Sequence, residues 1–157
     1  MATYDRTVTG GGTVGHPGNT PKPYVIVSPV YDALDNTSLA GADVVKLIDL
    51  PADTMVIGGA IEVLEASGNE QITLDVGTSE DVDAFADGVD SDPAAATQYQ
   101  FTLKAAGDNM VTAADAIQVT VLDGGSSGSA ALRFRVIAVL ADVSGNPVES
   151  ATVSTGT

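Results

Sequence analysis

Cysteine is absent from the 157 residues, which excludes disulfides, thiolate metal sites and cysteine nucleophiles and leaves the redox compartment open. Tryptophan is absent too, and four Tyr and three Phe are the only aromatics. Stacking platforms for sugars are therefore scarce, which weighs against a glycosidase cleft and against a carbohydrate-binding module. Histidine occurs once, as His16 between Gly15 and Pro17, with no carboxylate beside it. A hydrolytic triad needs a base held rigidly against its nucleophile, so His16 is a poor catalyst.

Positive charge is the next scarcity. Six Lys and Arg stand against 21 Asp and Glu, a net charge of −15. Asp5, Arg6 and Lys22 give residues 1–23 a sum of +1, which leaves −16 for the remainder. Lys46, Lys104, Arg133 and Arg135 are the only cations there, so neither a nucleic acid nor an anionic membrane surface is an expected partner. Long hydrophobic runs are missing as well. Val136 to Ala141 is among the longest, far short of the ~20 residues that cross a bilayer. The opening MATYDRTVTGGG has neither a basic nor an apolar signal region, so no targeting segment is expected.

What is present is mostly alternation. Residues 1–23 are dominated by Gly, Thr and Pro and hold too little apolar surface to offset the entropy of ordering. They read as an extended or flexible N-terminal arm that reaches ~75 Å at ~3.3 Å per residue, or as a frayed tail. Residues 24–157 read as one β-sandwich domain. Ile72, Leu74 and Val76 alternate with polar neighbours, as do Tyr99, Phe101 and Leu103, and Ile117, Val119 and Val121. This is the mark of strands with one dry and one wet face. Further strands are expected at Tyr24–Tyr31, Val44–Leu50, Met55–Glu65 and Leu132–Asp142, and weaker ones near Val82–Ala86, Asn109–Thr112 and Val148–Val153. Turn residues separate them, which favours an all-β antiparallel sandwich over a βαβ fold. The one expected helical piece is Ser91–Gln98, with Ser91 or Asp92 as cap and Pro93 in the first position.

The strand from Leu132 is apolar on one face and carries Arg133, Arg135, Ile137 and Val139 on the other. Its second half therefore suits the centre of a sheet or a subunit contact. Arg133 and Arg135 are candidates for inter-subunit pairing with carboxylates, or else solvated arginines on an outer face. The hydrophobic fraction of 44% against 17% charged residues suits a domain partly covered by copies of itself or by a larger partner, or a plain Ala-rich monomer.

Chemistry-bearing constellations are few. Glu80, Asp81, Asp83, Asp87, Asp90 and Asp92 form a dense acidic segment, but with Asp83 and Asp87 as first and fifth positions the spacing misses an EF-hand. A solvated acidic loop is the favoured reading, with hard oxygen ligation of a calcium ion as the alternative. Gly10–Gly12 and Gly124–Gly125 lack the Gly-Lys-Ser/Thr ending of a phosphate loop. No catalytic, cofactor-binding or metal-binding residue is assigned, no cofactor is expected, and the chain is read as no enzyme.

The segments VVKLIDLPADTMVIGGAIEVLEA and ITLDVGTSEDVDAFADG together resemble a recurring pattern in small structural proteins of tailed bacteriophages. A strand ends in Leu-Pro, a Gly-containing strand follows, and an alternating strand closes in Val-Gly-Thr before Asp81, Asp83 and Phe85. The resemblance spans about residues 43–90 and implies a jelly-roll-like sandwich that decorates or cements the outside of a capsid, commonly as a homotrimer bound to the major capsid protein. Its implied location is the outer surface of the virion. The same sandwich also serves in head fibres, tail parts and host-contacting adhesins.

Overall fold

In the computed structural model, residues 3–8, 23–33, 35, 39–67, 72–92, 96–104, 109–123 and 131–144 are described. They form eleven strands: β1 Thr3–Val8, β2 Pro23–Val27, β3 Tyr31–Asp32, β4 Val44–Leu50, β5 Thr54–Glu65, β6 Thr73–Gly77, β7 Ala86–Asp90, β8 Thr97–Gln100, β9 Met110–Val111, β10 Asp115–Asp123 and β11 Arg133–Asp142. A five-stranded sheet runs β1-β4-β10-β6-β7. A six-stranded sheet runs β2-β11-β5-β8, with β3 added to β11 and β9 to β5. Every pairing is antiparallel except that of β1 with β4.

The pairings nest. β6 pairs with β7, β5 with β8, β4 with β10 and β2 with β11, and successive pairs fall alternately into the two sheets. A long two-stranded ribbon rolled in this way is a jelly roll. The all-β sandwich expected from alternation is thus observed.

Alternation also places the core. Phe134, Val136, Ala138 and Leu140 of β11 point inward with Val56, Ile61 and Val63 of β5. They meet Val45, Leu47, Leu74, Val76, Ile117, Val119 and Val121 from the opposite sheet. Removing each such large side chain from water contributes ~1.5–3 kcal/mol. Tyr31 stacks on Phe134 and Phe85 on Phe101, with ring centroids 5.1 and 5.4 Å apart.

Three expectations are corrected. Ser91–Gln98 is no helix over its described part: Thr97 and Gln98 lie in β8, and the Ser91 hydroxyl donates to Ile72 O at 2.6 Å instead of capping a helix. Pro93–Ala95 fall outside the described residues. Val82–Ala86 forms a turn, in which Thr78 N and Ala84 N donate to Asp81 O, so the strand begins only at Ala86. Tyr24–Tyr31 is interrupted at residues 28–30 between β2 and β3. Of the expected arm, residues 3–8 form β1, which pairs with β4 of the same chain, while 9–22 lie outside the described residues, as does Val148–Val153.

Candidate interaction surface

The outer face of the six-stranded sheet is set by strand register. Val25 and Val27 of β2 stand opposite Val139 and Ile137 of β11, which stand opposite Gly58 and Ala60 of β5. A register shift between Val139 and Leu140 inserts Ile57 beside them. Val25 is 61% exposed, Val27 46% and Ile57 42%. At Gly58 an added Cβ would meet nothing within 4 Å, so the patch is both apolar and open. Sequence reading found half of it, in the two-sided apolar end of β11. The other half had the same signal in Tyr24–Val27, apolar on both faces, but only register joins the two.

The same face continues into charge. Arg135 stands opposite Glu62 and Arg133 opposite both Glu65 and Asp32. Arg135 Nε donates to Glu62 Oε2. Arg133 Nη1 lies 3.6 Å from Glu65 Oε2, and its Nε lies 3.1 Å from Asp32 Oδ2 but off the hydrogen-bond line, so that contact is an ion pair alone. Both arginines, candidates for pairing across subunits, thus have carboxylate partners within the chain. Gln98 and Gln100 of β8 complete the face; Gln98 Nε2 donates to Glu62 Oε1 at 3.4 Å and Gln100 Nε2 to Gln98 Oε1 at 3.1 Å. Three carboxylates meet two arginines here, and all five are paired.

The five-stranded sheet is different. Asp75 on β6 and Asp87 and Asp90 on β7 stand together, followed by Asp81 and Asp83 near Lys104. Lys104 Nζ donates to Asp83 Oδ1 at 2.6 Å and lies 3.6 Å from Asp81. That hydrogen bond holds the Asp83 carboxyl below its usual range and raises Lys104. Asp75 is buried and accepts from Gly88 N at 2.9 Å. Burial, and then the charges of Asp87 and Asp83, push its carboxyl up. Among the described residues no three acidic or imidazole groups converge on a point that could hold a metal ion. An open hollow of about 210 Å³ beside Ser79, Met110 and Asp115 is crossed by Ser79 N and Oγ, which both donate to Asp115 Oδ2. His16, Gly10–Gly12 and Gly124–Gly125 lie outside the described residues.

No protein-family model matches the chain, and no curated protein does. Solved structures do. A chain of the cyanophage Pam1 capsid asymmetric unit superposes with a TM-score of 0.61 at 17% identity, over 83% of this chain and 94% of that one. A chain from the capsid of Ralstonia phage GP4 gives 0.54 at 20%, over 76% and 84%. One from the acidic stable capsid structure of Helicobacter pylori bacteriophage KHP30 gives 0.53 at 13%, over 80% and 95%. What this chain shares with all three is the fold.

Proposed function

We propose that this chain is a structural protein of a bacteriophage virion: a cement or decoration protein that binds the outside of the capsid as a homotrimer and stabilises the shell without catalysing a reaction. The observation that carries the proposal is the jelly roll shared with chains of three phage capsids, over 84–95% of those chains. The cement pattern at residues 43–90 supports the finer assignment. Its partner is the major capsid protein, and no nucleic acid or membrane is required by a body of charge −16.

The physical basis is linkage. A protein that binds only the assembled lattice stabilises that lattice by about 2.7 kcal/mol per site at roughly a hundredfold excess over Kd. Residues 1–23, with a sum of +1 against −16 for the remainder, form the proposed arm, held to the body where β1 pairs with β4, and residues 24–157 form the proposed body. Extended segments of this kind bind by adding a strand to a sheet edge.

Cosedimentation with assembled phage shells and with unassembled coat protein tests this. The protein is expected to pellet with shells alone and to raise their melting temperature. Deletion of residues 1–23, which also removes β1 from the edge of the five-stranded sheet, is expected to weaken binding at least tenfold while the remainder keeps its β-sheet circular dichroism. A protein that ignores shells but binds host cells would be an adhesin, and the cement proposal would fall.

A further inference from the structure

The two outer faces of the sandwich differ in charge, and the difference says what each can meet. Residues 24–157 hold four cations, and two of them, Arg133 and Arg135, stand on the outer face of the six-stranded sheet, where every charge is paired. Beside them lie Val25, Val27, Ile57, Ile137 and Val139 with no charge among them. A basic partner would find its complement on the side of the exposed Asp87 and Asp90. With three carboxylates against two arginines this face carries a net charge of only −1 in a body of −16, so it suits a partner that is itself acidic better than the more strongly charged remainder does.

We infer that a second copy of this chain covers the outer face of the six-stranded sheet, with Val25, Val27 and Ile137 at the centre of the contact. The face is four strands wide and about eight residues long. At ~4.8 Å per strand and ~3.4 Å per residue it has a projected area on the order of 500 Å², comparable with the ~800 Å² each partner gives a stable interface. The Arg135–Glu62 and Arg133–Asp32 pairs form its polar rim. The inference rests on the self-association within the proposed function and names one of its surfaces; in a three-fold ring the neighbouring copy meets it with a different patch.

The mass of the purified full chain is the readout, by light scattering against concentration. The wild type is expected to exceed the 15.8 kDa of one chain. A double variant, Val25→Asp with Val27→Asp, is expected to fall to one chain while keeping its β-sheet circular dichroism. Leu122→Asp, at a site 49% exposed on the five-stranded sheet, is expected to leave the mass unchanged. Raising salt from about 0.1 to 1 M shortens the screening length from ~10 to ~3 Å, so association is expected to tighten at least severalfold. An unchanged mass in the folded double variant overturns the choice of face but not self-association. A wild type that stays at one chain overturns both. Neither result touches shell binding, which cosedimentation reads separately. Should the double variant fail to fold, Val25→Lys alone provides the same readout.

Discussion

At the scale of single residues, the most exposed consequence of the fold is Asp75. Its carboxylate is buried beside Asp87 and Asp83, with Gly88 N as hydrogen-bond donor. Its folded pKa is raised, so the stability it contributes is full below the unfolded value of ~3.9 and is lost as pH rises through the folded value. Asp75→Asn keeps an oxygen for Gly88 and carries no charge. Its thermal midpoint is expected to lie above that of the wild type at pH 7, with the gain vanishing near pH 3. A constant difference across that range would show that charge is not the cause. Phe85 was legible only as a motif residue. Its place, fully buried and stacked on Phe101, follows from the turn that carries it under the sheet, a long-range fact that local alternation does not encode.

Among the elements, strand bounds were the most legible feature. β4 keeps its expected bounds, Val44–Leu50, and β10 extends Ile117–Val121 by two residues at each end. A register shift between Ile117 and Gln118 breaks the two-residue period, so that Leu47 and Ile48 are both buried, as are Ile117, Gln118 and Val119. The misread helix has a tertiary cause. Ser91-Asp92-Pro93 has the local chemistry of a helix start, yet the Ser91 hydroxyl is taken by Ile72 O across the sheet, and tertiary pairing overrides local preference. The Val-Gly-Thr signature also acquires its reason here. A Cβ on Gly77 would strike Asp81 O and come within 2.5 Å of the Val82 carbonyl carbon, so the acidic turn can fold back only over glycine. Gly77→Ala is expected to cost about 3 kcal/mol in urea unfolding, because backbone cannot yield as a side chain can. Gly58→Ala, with open space at its Cβ, is expected to be neutral or stabilising by about 0.5 kcal/mol. Equal losses at both would reject the close approach as the reason.

For the whole molecule, the candidate surface was half legible. Both halves were apolar on two faces in the sequence, but the pairing of Val27 with Ile137 joins segments more than a hundred residues apart in the chain. The same nested topology governs kinetics. Only β6–β7 pairs neighbours in sequence; every other pair waits for a longer loop to close. Refolding from denaturant is expected in the millisecond-to-second range or slower, as for other folds of high contact order, and stopped-flow fluorescence of the tyrosines would measure it. Microsecond refolding would contradict a ribbon that closes from its tip.

The central place of β11 in the six-stranded sheet, between β2 and β5, has a consequence during synthesis. While a ribosome is still making the polypeptide, β2 and β5 have no strand between them, and the inner wall built by Val56, Ile61 and Val63 stays wet. Translation at ~5–20 residues per second leaves that wall bare for several seconds. Nascent copies crowded on one messenger are then more exposed to clumping than finished ones.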